Sequence, residues 1–294
     1  GAASPRHPGT SSRLGPMSIR RPAVAGTWYP DSPDRLTVEV EAHLARAGGQ
    51  GRNDPPPEAQ LLALIVPHAG LIYSGPVAAH AYRLLRGRSC DAAVLVGPSH
   101  YMGFAGAAVW RHGSFETPLG PLAVNEEIAS ALLERCPEIH ERPEAHIREH
   151  SLEMQLPFLA AIAPELPIVP IVMGLQTRET AVAVGDCLAR VLAGRRAIVI
   201  ASSDLSHFFD AAKAAFLDAQ VVEDVEALDA ETLMGRLEQR PEHACGGGAI
   251  VSVIRAARAM GASTSRVLKY ADSGDVSGDK GSVVGYLAAA MWRS

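Results

Sequence analysis

The segment LLALIVPHAGLIYSG, residues 61–75, shapes the expected fold more than any other part of this chain. Its first six residues form an uninterrupted apolar run, which is typical of a strand buried on both faces of a parallel sheet. Pro67 ends the ladder pairing, and His68 follows in a turn with Ala69 and Gly70. A histidine just past a buried strand lies where open α/β sheets bind their ligands.

The same pattern occurs twice more along the chain. The run DAAVLVG, residues 91–97, leads into His100, and the run RAIVIA, residues 196–201, leads into His207. Because the carboxyl ends of parallel strands share one edge of a sheet, we expect the three histidines to converge on one crevice.

Strands alternate with amphipathic helices over most of the sequence, which is typical of a parallel sheet with helical connections. Ser32 and Pro33 predict one helix start, and Gly75-Pro76 predicts another that runs to about Leu85. The proline- and glycine-broken segment 107–124 predicts an antiparallel excursion over the sheet. We therefore predict one α/β domain, residues 17–294, with a central, largely parallel sheet covered by helices on both faces.

Composition narrows the classes of function. The chain has 294 residues, is 47% hydrophobic and 20% charged, and carries a net charge of −5 with no basic stripe, which argues against nucleic-acid binding. No apolar run is long enough to span a membrane. Four cysteines without a CxxC pair predict free thiols and a cytoplasmic location.

Residues 1–16, rich in Gly, Pro, Ser and Arg, predict a disordered tail or a cloning remnant, and we exclude His7 from the candidate site residues for that reason.

The converging histidines predict a metal site. Metal ions in proteins take neutral imidazole, thiolate or carboxylate donors held by rigid elements. One such histidine alone is more often an ordinary surface or core residue, but His68, His100 and His207 share one topological position. Cys245 is the fourth candidate, because a helix start at Gly246–Gly248 is expected to stabilise a thiolate. A small apolar residue at a tight helix start stays the alternative. No Lys and Ser/Thr follow at P-loop spacing, so a phosphate cradle is weakly supported.

Other polar residues near these motifs have two interpretations each. Asp204, three residues before His207, either orients a histidine or caps the turn. His150 and Glu153 share one helix face and either line the substrate pocket and support the metal ligands or cap the helix. His243 is an outside candidate because it lies two residues from Cys245. A cysteine or serine nucleophile is disfavoured by the lack of a G-x-S-x-G elbow.

Several separated motifs resemble the Memo family, whose bacterial members are often called AmmeMemoRadiSam system protein B. From about Arg20 to the C-terminus, the matching motifs in chain order are GTWYP at 26–30, PHAG-LIYSG at 67–75, GPSH at 97–100, EHSLEMQLPFL at 149–159, SSDLSH at 202–207 and ACG at 244–246.

The resemblance implies a fold similar to class III extradiol ring-cleaving dioxygenases, which use non-haem Fe(II). It implies that His68 and His100 match two metal-binding histidines, that Cys245 matches the third ligand position, and that His207 matches the acid–base histidine. Memo-type proteins are implied to bind iron or copper. The ring-cleaving enzymes have glutamate where this chain has Cys245, and the softer sulfur shifts metal preference toward Cu(I), zinc or iron of altered potential.

Two functional hypotheses follow. In the first, Fe(II) on His68, His100 and Cys245 keeps open positions for O₂ and a small aromatic or other oxidisable substrate, while His207 moves protons and Asp204 orients or tunes it. In the second, the same site holds iron or copper, or binds a protein partner, without turnover. A single cysteine slightly favours an open site, because closed structural zinc sites use more thiolates.

Overall fold

The sheet and helices follow the alternation that the sequence predicts. The structure is a computed structural model that describes residues 19–49 and 51–294, so the predicted tail, residues 1–16, lies outside the described residues. The strands are β1 (Ile19–Arg20), β2 (Gln60–Val66), β3 (Ala92–Pro98), β4 (Ala107–Val109), β5 (Ser114–Phe115), β6 (Leu122–Ala123), β7 (Ile139–Glu141), β8 (Ile168–Met173), β9 (Ala197–Ser202), β10 (His207–Phe209), β11 (Thr264–Asp272) and β12 (Val283–Arg293). The α-helices are α1 (Pro33–Ala47), α2 (Leu71–Tyr82), α3 (Glu126–Arg135), α4 (Glu144–Ile147), α5 (Leu156–Ile162), α6 (Arg178–Leu192), α7 (Ala211–Glu226), α8 (Ala230–Gln239), α9 (Gly247–Ala259) and α10 (Gly274–Ser277).

Four parallel strands form the centre of the main sheet. The strand order is β10-β12-β2-β9-β3-β8-β4-β7, with β11 paired to β12, and the neighbours among β2, β9, β3 and β8 are all parallel. β12 runs antiparallel to β2, β10 and β11, and β4 runs antiparallel to β8. A small second sheet, β1-β5-β6, contains the antiparallel pair expected in the segment 107–124. The carboxyl ends of β2, β3 and β9 therefore meet at one edge, as predicted.

Both faces of the central strands are covered. Every residue of β3, β8 and β9 is buried, and so is every residue of β2 after the first. Helix α9 packs on β2, β3 and β9 with α6 against it, while α2 packs on β2 and β12 with α1 against it. Fully buried strands of this kind need helices on each side. The predicted α/β fold class is confirmed.

One predicted helix boundary is wrong. Ser32 caps α1 as expected, with its Oγ accepting a hydrogen bond from the Arg35 backbone N–H, but α2 begins at Leu71 and keeps Pro76 inside it. The Leu71 N–H donates to the Trp28 carbonyl at 2.8 Å, so this helix start is held from outside. Pro76 removes only the bond to the Ile72 carbonyl, and Ile72 is 59% exposed, so water can replace that bond.

The prediction of four free thiols is wrong for one pair. Cys136, at the end of α3, and Cys187, in α6, are joined as a disulfide with their Cα atoms 5.9 Å apart. They are 51 residues apart in sequence, and only the packing of α3 against α6 brings them together. Cys90 and Cys245 are free. No helix among the described residues is long and apolar enough to cross a membrane.

A buried ion pair anchors the N-terminal arm to the middle of the chain. Arg20 and Glu153 are both almost fully buried and form a salt bridge. The Glu153 carboxylate also accepts hydrogen bonds from the backbone N–H groups of Ala23 and Val24 and from the Tyr29 hydroxyl. This carboxylate fixes the arm that carries Trp28.

Replacing Glu153 by glutamine should destabilise the protein strongly. The substitution leaves the Arg20 charge buried without a counter-charge, which costs about 3–5 kcal/mol in comparable cases. The half-exposed pair Arg86–Glu41 provides the control, because Glu41→Gln should cost under about 1 kcal/mol. Urea unfolding measures both. Equal midpoints for the two variants would contradict the assigned role of Glu153.

Candidate metal site

Three potential ligand side chains meet at the carboxyl edge of the sheet. The ligand atoms of His68, His100 and Cys245 all lie within 4.8 Å of one another. The ring centroids of His68 and His100 are 5.2 Å apart, and Cys245 Sγ lies 3.2 Å from His68 Nε2. His68 follows β2, His100 follows β3, and Cys245 precedes α9, so each stands at the end of a rigid element. The structure thus brings together three residues far apart in the sequence.

The hydrogen bonds of Ser202 determine the tautomer of His68. Ser202 Oγ donates its only proton to the Ser151 carbonyl, at 2.6 Å, and accepts a hydrogen bond from Gln155 Nε2 at 2.8 Å. His68 Nδ1 lies 2.9 Å from the same Oγ and must therefore be the donor. We assign the Nδ1–H tautomer, which leaves the Nε2 lone pair facing Cys245.

A buried carboxylate orients His100. Glu149 Oε1 lies 2.8 Å from His100 Nδ1, and Glu149 also accepts hydrogen bonds from the backbone N–H groups of His100, His150 and Ser151. Burial raises the pKa of Glu149, but the hydrogen bonds and charge of His100 outweigh it and lower the pKa to about 2. The ionised carboxylate can only accept, so His100 Nδ1 carries a proton, and a neutral His100 ring has its lone pair on Nε2. Carboxylate–histidine pairs of this kind are the usual support of metal-ligating imidazoles.

His150 belongs to the wall of the same site. Its ring stacks on His100 at 4.4 Å between centroids, lies 5.7 Å from His68 and contacts Trp28 at 4.2 Å. The ligand atoms of His100, Glu149 and His150 form a second group within 4.8 Å of one another. Burial, followed by the charge of His100, lowers the pKa of His150 to about 4. His150 is therefore a neutral ring that lines the site, which is the first of the two interpretations given above for this residue.

His207 and Asp204 lie beside the cluster in different roles. His207 Nδ1 lies 2.8 Å from the Leu205 carbonyl and donates to it, so a neutral His207 ring has its lone pair on Nε2. Asp204 does not bond to His207. Its Oδ1 accepts the backbone N–H of His68 at 2.7 Å, so it caps the turn that carries His68. Burial raises the pKa of Asp204, while the backbone N–H of His68 acts in the opposite direction.

Cys245 is a thiol in the metal-free protein, contrary to the expected thiolate. Burial, followed by the charge of Asp204, raises the pKa of Cys245 above that of an ordinary thiol and outweighs the helix start. The S–H group therefore donates to His68 Nε2.

Gln176 holds the turn that carries Cys245, with its Nε2 donating to the Cys245 carbonyl at 2.7 Å and its Oε1 accepting from the Gly248 N–H at 2.9 Å. A cavity of about 390 Å³ opens on this side, with Cys245, Gln176 and Leu237 in its lining.

Two candidates lie outside the cluster. Glu153 belongs to the Arg20 ion pair and faces the N-terminal arm, not the imidazoles. His243 is buried with its Nδ1 near the Leu217 carbonyl, at 3.1 Å. The sequence reasoning did not identify Glu149, Ser202 or Gln155, whose contacts join distant segments. The only signal for them was their position within the EHSLEMQ and SSDLSH motifs.

The sequence comparisons with known proteins give one family. The sequence model of a family described as "Memo-like protein" matches residues 20–290. A MEMO1 family protein of Methanosarcina mazei is 40% identical, over 92% of this chain and 98% of that protein. A MEMO1 family protein of Methanopyrus kandleri is 38% identical, over 93% of this chain and 99% of that protein. The crystal structure of an uncharacterized Escherichia coli K12 protein is 14% identical with a TM-score of 0.49, covering 78% of this chain and 99% of that one. That likeness carries no functional argument.

The buried imidazoles predict an acid-sensitive metal-free protein. Burial, followed by the charge of His100, lowers the pKa of His68 to about 3, and the pKa of His150 is also lowered. Below the ordinary histidine pKa of 6.5, the unfolded chain takes up protons that the folded chain does not. Stability should be fully present above about pH 6.5 and fall toward pH 4, by up to about 1.4 kcal/mol per pH unit for each group.

Urea unfolding of chelator-treated protein between pH 7 and pH 5 measures this slope. His150→Gln should reduce it, whereas His140→Gln, on the surface, serves as the control. A free energy of unfolding that is equal at pH 7 and pH 5 would show that the imidazoles do not resist protonation.

Proposed function

The chain belongs to the Memo family, and we propose that it binds one transition-metal ion, Fe(II) in the first instance, through His68, His100 and Cys245. One observation carries the proposal. Three donor atoms lie within 4.8 Å of one another, and each neutral imidazole presents an Nε2 lone pair to the others because its Nδ1 is committed elsewhere. Preorganised neutral imidazoles require no rearrangement before they coordinate.

The donor set fits a limited range of ions. Two imidazole nitrogens and one sulfur suit iron, copper and zinc, and exclude magnesium and calcium, which prefer oxygen. Three protein ligands leave positions open, which is typical of catalytic and not of closed structural sites. The Cys245 proton must leave when the sulfur coordinates, so metal binding should release a proton and strengthen with rising pH.

We further propose that the metal site oxidises a small aromatic or other oxidisable molecule with O₂. The metal, when bound, supplies Lewis-acid and redox chemistry. The free Nε2 of His207 accepts a proton from a ligand hydroxyl, and the Leu205 carbonyl keeps that ring in the required tautomer. Asp204 holds the His68 turn, and the Trp28 and His150 rings, in contact at 4.2 Å between centroids, limit the access of water.

The sulfur donor also supports a second function. Cys245 stands where a ring-cleaving enzyme would place a carboxylate, and sulfur favours copper(I) or zinc over Fe(II). A protein that holds such an ion without turnover, alone or with a protein partner, would use the same three donors.

Metal analysis and oxygen uptake distinguish the two functions. Protein purified and reconstituted without oxygen should hold one Fe(II) per chain and consume O₂ with at least one member of a panel of catechols and aminophenols. Metal retention without uptake would support the binding function, and absence of any bound metal would refute both.

Removing the sulfur should weaken metal binding while the fold persists. We expect Cys245→Ser to lower Fe(II) affinity at least tenfold, because a neutral hydroxyl is a far weaker ligand than a thiolate. Cys90→Ser, at the other free cysteine, is the matched control. A competitive chelator titration measures the affinities, and equal affinities for the two variants would exclude Cys245 as a ligand.

Removing the Glu149 charge should weaken metal binding although Glu149 is not one of the proposed ligands. Glu149→Gln loses the carboxylate that fixes the His100 tautomer, and such changes cost about 10–100-fold in metal affinity. Glu126→Gln removes a similar carboxylate beside His112 Nδ1, at 3.1 Å on the surface, and should leave the affinity unchanged. The same chelator titration reports both. Unchanged affinity in Glu149→Gln would mean that His100 needs no carboxylate to coordinate.

A further inference from the structure

A groove of about 550 Å³ lies between α1 and the start of α2. It is larger than the cavity beside Cys245, and no residue of the candidate metal site lines it. Val38 and Ala42 of α1 and Ile72 of α2 belong to its apolar lining. Val38 is 70% exposed and Ile72 is 59% exposed. Large aliphatic side chains grouped at a groove are typical of an interaction surface.

The same groove is lined by a buried histidine, His43. Neither of its ring nitrogens has a hydrogen-bond partner among the described residues, and its Nε2 lies 3.8 Å from Glu39 Oε1, too far for a hydrogen bond. A Cβ atom at Gly75 would lie 2.8 Å from Cδ2 of this ring, so a glycine inside α2 makes room for it. The fold of one chain does not explain a buried polar ring that lacks partners.

The charges beside the groove are also unpaired within the chain. Among the described residues, no arginine or lysine forms a salt bridge with Glu39, and no carboxylate forms one with Arg46, although Glu41 on the same helix is paired with Arg86 at 2.7 Å. Glu39 and Arg46 both line the groove and are seven residues apart, so they lie on one face of α1 two turns from each other. This face therefore carries opposite charges at its two ends.

Such a face is complementary to a second copy of itself. When two copies of α1 pack antiparallel about a two-fold axis near Ala42, Glu39 of each copy faces Arg46 of the other. The small side chain of Ala42 lies almost midway between the two charges and allows a close approach at the axis. Val38 and Ile72 protrude beside the groove, so the same surface offers both the protrusion and the hollow. A two-fold interface requires this kind of self-complementarity.

We propose that the α1 groove is the interface of a two-fold symmetric dimer of this chain, in which each copy covers Val38 and Ile72 of the other. Glu39 then lies between His43 of its own chain and Arg46 of the partner subunit. The dimer excludes water from the two aliphatic side chains, which a single chain leaves exposed. An unrelated partner would not need both charges and both shapes on one surface.

Sedimentation velocity tests the proposal over a range from low to high micromolar protein. Wild type should shift from the mass of one chain to twice that mass as the concentration rises. Val38→Glu should weaken dimerisation at least about tenfold, because a two-fold interface buries the new charge twice. Phe216→Glu, which places the same charge on a 69% exposed residue of α7, should leave dimerisation unchanged.

Charge reversal tests the register of the interface. Glu39→Arg and Arg46→Glu should each be monomeric, because each variant places like charges against one another. An equimolar mixture of the two variants should form a heterodimer, because the two chains then present opposite charges at both contacts. The recovered dimer also shows that both variants are folded.

These measurements need no metal ion, so their outcome is independent of the proposed function. A wild type that stays monomeric at every concentration would leave the groove to another occupant and overturn the proposal. Equal dimerisation of wild type and Val38→Glu would place the interface elsewhere and overturn it as well. A mixture that stays monomeric while both variants keep the circular dichroism of wild type would refute the pairing of Glu39 with Arg46.

Discussion

The Glu149 carboxylate is the constraint around which the site is arranged. A buried charge must be satisfied by hydrogen bonds, and this one takes them from three backbone N–H groups and one imidazole. These donors belong to two separate turns, one after β3 and one before α5. The carboxylate therefore holds His100 and His150 side by side and sets the tautomer of His100. Without it, the same histidines would have many orientations.

Glu153, four residues later, stabilises a different part of the structure. Glu153 is also buried, but its donors are Arg20, the arm after β1 and the Tyr29 hydroxyl. The segment 149–153 thus fixes two parts of the chain. Glu149 holds the turn that carries His100, and Glu153 holds the N-terminal arm. Because that arm carries Trp28 onto His150, the two carboxylates together determine the wall of the site.

Sequence reasoning predicted the fold and the meeting of His68, His100 and Cys245, and it did so for a local reason. A buried parallel strand is an apolar run, and the residue after its end has a defined place in the sheet. The protonated state of Cys245, the disulfide between Cys136 and Cys187, and the part played by Glu149 depend on contacts between distant segments, and no spacing reveals these. Pro76 led to the wrong helix start because the Leu71 N–H at the start of α2 donates to the carbonyl of Trp28, which is distant in the sequence. The motifs shared with the Memo family include Glu149, Ser202 and Gln155, but the motifs alone do not show which contacts these residues make.

The order of the strands has a consequence for how the protein is made. β2 lies between β9 and β12, both of which come later in the sequence. During synthesis, one edge of β2 therefore stays unpaired until β9 has been made, and the other edge until β12 has been made. Long-range pairing of this kind folds slowly and exposes strand edges that other chains can pair with.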